Sequence, residues 1–207
     1  MNIAVIAADG RLGQAFVKEA LGAGHTIRAG IRGSKRPGSN KNLEFIQCDA
    51  TDSAQVKNLI KDQDVVVSCI GHVKGSPADV QTVATQVLVD AMNELGIKRF
   101  VDLTGTGARF PGDKITLLDR FLNLSVSIVD PDRINDGKEH MKVLQASNLE
   151  WTTVRVLKLQ NVPAKKYQLL AHGPTKVFVG REEAAKALLE VIEKDSFVRQ
   201  APIIGNV

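Results

Sequence analysis

The chain opens on an unbroken apolar run, Ile3-Ala4-Val5-Ile6-Ala7, that passes directly into a glycine-bearing turn and then a helical pattern. A strand without polar alternation is covered on both faces, the usual situation inside a parallel sheet. The turn is Ala7-Ala8-Asp9-Gly10-Arg11-Leu12-Gly13, and the pattern after it places Leu12, Phe16, Ala20 and Leu21 on one side of a helix. Gly22 and Gly24 end that helix, as glycines commonly do at helix C-termini.

The same unit recurs along the chain. Strands are expected at Thr26–Ile31, Leu43–Cys48, Val65–Ile70, Arg99–Thr104 and Trp151–Leu157, with short late ones at Val177–Val179 and Pro202–Ile204. Helices are expected from an Asp52 or Ser53 cap to Ile60, over Pro77–Leu95, from about Lys114 to Leu124, over Lys138–Ser147 and over Arg181–Lys194. Strands alternating with helices imply right-handed crossovers and a parallel sheet covered on both sides. The expected fold is therefore α/β, a Rossmann-like doubly wound sheet in three layers. With 207 residues, 43% of them apolar, the chain suffices for one core. We expect one domain over 1–207, with a small substrate-side extension from about 105–135 and 160–180.

Composition narrows the function. The 27 Lys and Arg against 23 Asp and Glu give a net charge of +4, but the basic residues are spread along the chain and aromatics are only 4%. That is not the clustered, aromatic-interleaved footprint of a nucleic-acid binder. No apolar run approaches the roughly 18 residues of a membrane span. Cys48 and Cys69 each sit in an apolar run with no C-x-x-C and no Cys/His spacing, which reads as two reduced, buried thiols and no metal site. The N-terminal residues begin a strand rather than a signal peptide, so a cytoplasmic setting is expected. Nothing in the sequence specifies an oligomeric state.

A strand ending in a glycine turn that opens a helix presents free backbone N–H groups at the positive end of a helix dipole, a geometry suited to a dinucleotide pyrophosphate. Ala8, Asp9, Gly10, Arg11, Leu12 and Gly13 are the expected contacts. Relative to G-x-G-x-x-G, Ala7 stands in the first glycine position, Gly10 permits close approach and Gly13 permits helix–strand packing. The second strand ends not in the Asp or Glu of an NAD site but in Arg32, with Lys35 and Arg36 close behind. A guanidinium there can pair a 2′-phosphate, which favours NADP over NAD. After the third strand, Asp49 or the Ala50 backbone meets the adenine edge, or Asp49 is simply a turn residue. Cys69, Ile70 and Gly71 close the fourth strand beneath the cofactor, with His72 just beyond. Thr104 and Thr106 close the fifth strand beside the nicotinamide.

Together these motifs resemble the atypical short-chain dehydrogenase/reductase proteins, among them the NmrA-related NAD(P)H-binding proteins, biliverdin reductase B and the NADH-flavin reductases. The likeness rests on Gly10-x-x-Gly13, Gly24-His25, Arg32, Cys48-Asp49-Ala50, Asp64 to Val67, Lys98 to Val101 and Thr104. It continues through Val143 to Arg155, with Asn148 and Val156 where the family has glycine and proline, and through Val179 to Ala185. The resemblance implies a Rossmann fold and an NAD(P) cofactor. It departs from the family's Tyr-x-x-x-Lys acid: the one tyrosine is Tyr167, followed four residues later by Ala171. Lys138 and His140 fall close to the family's lysine, which makes them, with Thr104 and Thr106, the candidate catalytic residues. The leading reading is a reductase of a flavin or similar planar acceptor. The alternatives are an NmrA-like NADP sensor without turnover and, third, a nucleotide-sugar epimerase or dehydratase. The substrate cleft is expected between 105–135 and 162–175, with Arg109, Phe110 and His172 as liners.

Overall fold

The computed structural model describes residues 1–33, 41–73 and 75–207. Its elements run β1 (Asn2–Ile6), α1 (Arg11–Gly22), β2 (Thr26–Ile31), β3 (Leu43–Gln47), α2 (Ser53–Ile60), β4 (Val65–Ser68), α3 (Val80–Leu95) and β5 (Arg99–Gly105). They continue with α4 (Leu117–Val129), α5 (Pro131–Ala146), β6 (Glu150–Val156), β7 (Lys158–Gln160), β8 (Gln168–Leu170), β9 (Phe178–Gly180), α6 (Arg181–Glu193) and β10 (Ile203–Gly205).

Eight strands form one sheet in the order β3-β2-β1-β4-β5-β6-β10-β8. Neighbours are parallel except at the edge, where β8 runs antiparallel to β10. β7 and β9 form a separate parallel pair. Both faces of β1 are buried, as its sequence requires. Ile3 and Val5 pack with Phe16, Ala20, Leu188 and Val191 on the side of α1 and α6. Ala4 and Ile6 pack with Leu59, Leu88, Met92 and Met141 on the side of α2, α3 and α5. The result is a doubly wound, three-layer Rossmann-like fold.

Three helix starts differ from the sequence reading. α3 begins at Val80 rather than Pro77, and Asp79 at its N-cap makes no side-chain cap. α5 begins at Pro131 rather than Lys138, since proline fits the first helical position; Asn135 and Gly137 weaken its periodicity in the sequence. α4 runs from Leu117 to Val129 rather than from Lys114 to Leu124, with the Thr116 hydroxyl accepting the Asp119 N–H as its cap. α4 packs on α5 and leaves Leu117, Phe121, Leu124 and Ile128 exposed. Strands β7 and β8 were not expected from the sequence; each has only three residues.

Candidate functional site

The strand order reverses direction between β1 and β4, because β2 and β3 lie on one side and β5 and β6 on the other. In open α/β sheets, ligands bind outside the carboxyl ends of the strands at this switch point. By contrast, the concavity bounded by Asp64, Ile97, Arg99 and Glu150 lies at the amino ends of β4 to β6, the opposite end of the sheet.

At the carboxyl end of β1 the chain turns on Ala7, whose φ of 55° is left-handed. This is where the usual fingerprint has glycine, and a non-glycine residue there is strained. The turn is held by the Ala8 N–H donating to the Gly30 carbonyl (2.9 Å), the Gly10 N–H to the Ala7 carbonyl (3.0 Å), and Gln14 Nε2 to the Asp9 carbonyl (2.6 Å). Gly13 has no room for a side chain: a Cβ would lie 2.3 Å from the Ala7 oxygen and 2.7 Å from the Ala8 Cα. Among the described residues no side chain caps α1, and its first turn holds no acidic residue. Its first N–H groups are therefore available to an anion. An uncapped helix and a turn that excludes Cβ atoms together fit a dinucleotide pyrophosphate held by Ala8 to Gly13.

Arg32 stands exposed at the end of β2; Lys35 and Arg36 lie outside the described residues. The Asp49 carboxyl is held below the usual range chiefly by the Thr51 backbone and hydroxyl hydrogen bonds, with Arg32 adding to them against the effect of burial. Its Oδ1 accepts from the Thr51 N–H (3.0 Å) and Oγ1 (2.7 Å), while its own N–H donates to Gln55 Oε1 (3.0 Å). Asp49 is thus a turn residue, and half-buried Ala50 presents the backbone beside it. Cys48 is buried, and burial pushes its thiol up to about 11. Cys69 is half-buried, and its thiol is pushed up to about 12 by burial and then by Asp102. The Ile70 carbonyl accepts Gln81 Nε2 (3.1 Å). Gly71 is exposed, with open space where its Cβ would be, so no steric demand fixes glycine there.

At the end of β5, Thr104 is buried, and Gly137 of α5 faces it so closely that a Cβ would stand 3.1 Å from its Oγ1. Thr106 is fully buried in a network centred on Asp119. Its hydroxyl donates to Asp119 Oδ1 (3.1 Å) and accepts from Asn123 Nδ2 (3.1 Å), which also donates to Asp119. Arg109 grips the same carboxylate through two nitrogens, at 2.7 and 3.3 Å. Phe110 lies beneath the Arg155 guanidinium, 5.0 Å from the ring centre. His172 is exposed and packs against Gly112.

The two α5 candidates part company. Lys138 is exposed, whereas His140 is fully buried. The His140 Nε2 lies 3.2 Å from Asp102 Oδ2, close enough for an ion pair but out of line for a hydrogen bond. Asp102 Oδ1 and the cross-strand Thr153 Oγ1 also lack partners. Burial works to lower the His140 pKa, but the Asp102 carboxylate and the Asp136 carbonyl outweigh it and raise it. Tyr167 donates to Glu190 Oε2 of α6 (2.9 Å), and burial and Glu190 push its phenol up.

The sequence reading missed the residues that organise this end of the sheet. Asp136 of α5, buried, accepts from the Gln81 N–H (2.8 Å), the Thr82 N–H (2.8 Å), Thr82 Oγ1 (2.6 Å) and His72 Nε2 (2.8 Å). It thereby caps α3 from another helix. Arg155, also fully buried, binds Asp113 through both terminal nitrogens (2.6 and 2.8 Å) and the carbonyls of Ala108 and Ala201. The only local signal for either was a charged residue inside an otherwise apolar or helical segment.

Comparison with known proteins gives the family and the fold. The chain is 25% identical over 142 residues to the chloroplastic protein TIC 62 of Arabidopsis thaliana, covering 56% of this chain but 22% of that one; it spans less than a third of that relative's length. A short-chain dehydrogenase/reductase from Veillonella parvula, solved with NADP, superposes with a TM-score of 0.82 at 18% identity, over 99% of this chain and 94% of that one. ChuY, an anaerobillin reductase from Escherichia coli O157:H7, superposes with a TM-score of 0.80 at 18% identity, over 99% and 96%. At such identities the two structures show a shared fold. The sequence profile of the NAD(P)H-binding family matches residues 7–195, and the chain belongs to that family.

Proposed function

We propose that the chain is an NADP(H)-dependent reductase of a planar conjugated acceptor, of flavin or bilin type, working without a tyrosine acid. The observation that carries this reading is the commitment of the only tyrosine, Tyr167, to Glu190 on α6, while Gly137 faces Thr104 at the end of β5. The usual carbonyl reduction of such folds leans on a tyrosine acid beside a lysine; a planar acceptor needs mainly stacking and orientation, because the cofactor carries the chemistry. The reductase named in the ChuY structure, on the same fold, supports this class of acceptor.

In this reading Ala8 to Gly13 hold the pyrophosphate. Arg32, with Lys35 and Arg36 following in the sequence, takes the 2′-phosphate, and Ala50 borders the adenine. Cys69, Ile70, Gly71 and Thr104 floor the nicotinamide side. When bound, NADPH supplies the reducing equivalents; the chain positions it and excludes water. Thr106 orients the 105–116 segment through Asp119, and 105–135 with 160–180 form the acceptor side of a single domain. The reduced thiols Cys48 and Cys69 suit a cytoplasmic setting.

The test is calorimetric titration with NADP and NAD, followed by NADPH oxidation with FMN and with biliverdin. Tight, NADP-selective binding with turnover of either acceptor is expected. Binding without turnover of any flavin, quinone or bilin would overturn the reductase reading in favour of a sensor of NmrA type.

A further inference from the structure

We infer that His72, held by Asp136, is the proton donor to the acceptor, a role resting on the reductase reading above. His72 follows the carboxyl end of β4 by four residues. Its Nε2 meets Asp136 Oδ2 at 2.8 Å. Asp136 is fixed from three other directions by Gln81 and Thr82 at the start of α3. The next residue on α5, Gly137, faces Thr104 at the end of β5. The imidazole is thereby tied to the framework that spans the carboxyl ends of β4 and β5, where Thr104 borders the nicotinamide side.

The remaining ring nitrogen, Nδ1, points to chemistry. The side chain is 8% exposed, and among the described residues Nδ1 has no hydrogen-bond partner yet is not one of the buried polar atoms left without one. It therefore keeps access to solvent or to a bound molecule. A carboxylate on Nε2 orients the ring with Nε2 protonated, which leaves Nδ1 as the nitrogen that can exchange a proton with a bound molecule. Lys138 is exposed, His140 is fully buried against Asp102, and Tyr167 is bound to Glu190. Among the described residues of this end of the sheet, His72 combines a titratable proton with a fixed orientation and an open nitrogen.

With NADPH bound, the acceptor would gain two electrons and a hydrogen as hydride, the nicotinamide being left oxidised. The acceptor's ring nitrogen or oxygen then takes the proton from His72 Nδ1, breaking that N–H bond. His72 is left neutral with Nε2–H on Asp136, and solvent restores the proton. Asp136 is a positioning residue and takes no proton in the step.

The test uses His72→Gln, which keeps an N–H for Asp136 but has no proton to give, and His72→Ala. Both should bind NADP as wild type does, while kcat with biliverdin falls about a hundredfold, the scale of general acid catalysis, with KM little changed. The solvent deuterium isotope effect on kcat should change in both variants. Independently of turnover, nitrogen-15 spectra of the protein without cofactor should show His72 in the Nε2–H tautomer, a preference lost in Asp136→Asn. The His72 ring signals should shift on saturation with NADP. Unchanged kcat and isotope effect in His72→Gln, with wild-type turnover intact, would overturn this assignment and leave the reductase reading standing. Absence of wild-type turnover with both FMN and biliverdin would overturn both.

Discussion

The carbonyl oxygen of Ala7 occupies the space a side chain on Gly13 would need, since a Cβ there would lie 2.3 Å away. Both partners are backbone or near it, so neither can yield without opening the turn. Gly13→Ala is expected to cost about 2 kcal/mol or more of stability, as overpacking of a rigid site does, and to weaken NADP binding with it. Ala7→Gly should act the other way, because it removes a strained φ of 55°; relief of that strain less the added chain entropy leaves a gain of up to about 1 kcal/mol. Urea unfolding of both variants measures the two effects.

Arg32 is exposed at the end of β2 and close enough to Asp49 to depress its carboxyl. Arg32→Ala should therefore weaken NADP binding about tenfold or more, the scale of one charge-assisted hydrogen-bond set, and leave NAD binding unchanged. Calorimetry with both dinucleotides reads the difference. Equal loss for NADP and NAD, or no loss, would remove Arg32 from the 2′-phosphate site.

Asp136 makes stability depend on acid. Burial alone would raise its carboxyl, but the hydrogen bonds from Thr82, the Gln81 and Thr82 backbone and His72 outweigh it and lower it. A carboxyl with a lowered folded pKa stabilises the protein above its unfolded value and loses that contribution as pH falls through the folded one. At neutral pH, Asp136→Asn should cost about 2–4 kcal/mol, from lost charged hydrogen bonds and the cap of α3. Between pH 5 and pH 2 the gap between the two proteins should narrow. Urea midpoints across that range, taken on both, test the sign; a gap that widens in acid would refute it.

Arg155 and Asp113 are 0% and 3% exposed at their side chains, so removal of either leaves the other as a buried, unpaired charge. Asp113→Ala is expected to cost about 3–5 kcal/mol, the usual effect of breaking such a pair from one side. Because Asp113 also accepts the Phe110 N–H (2.8 Å) and Arg155 holds the Ala108 carbonyl (2.9 Å), the loss should concentrate at the 105–116 segment. Amide exchange at Ala108 to Gly112 should rise before exchange in β1 or β4 does.

The first βα unit was written in the sequence. The apolar run Ile3 to Ala7, the glycines at 10 and 13 and the stripe from Leu12 to Ala20 are local facts, and local periodicity with turn chemistry decides them. The doubly wound order and the placement of Arg32 follow from the same alternation. Lys138 and His140 show where such reading stops. They lie two positions apart on α5, about 200° around the helix, so one faces water and the other meets Asp102. Nothing near them in the chain says which. The cap of α3 comes from Asp136, more than 50 residues downstream of Thr82, and Asp113 finds Arg155 across 42. Buried charges must find their partners wherever the sheet brings them, because an unpaired one is too costly to keep. Sequence thus determined the frame and the glycine turn after β1; tertiary structure alone decided which charged side chains are sealed in pairs, because partners far apart in the chain meet only once the sheet is assembled.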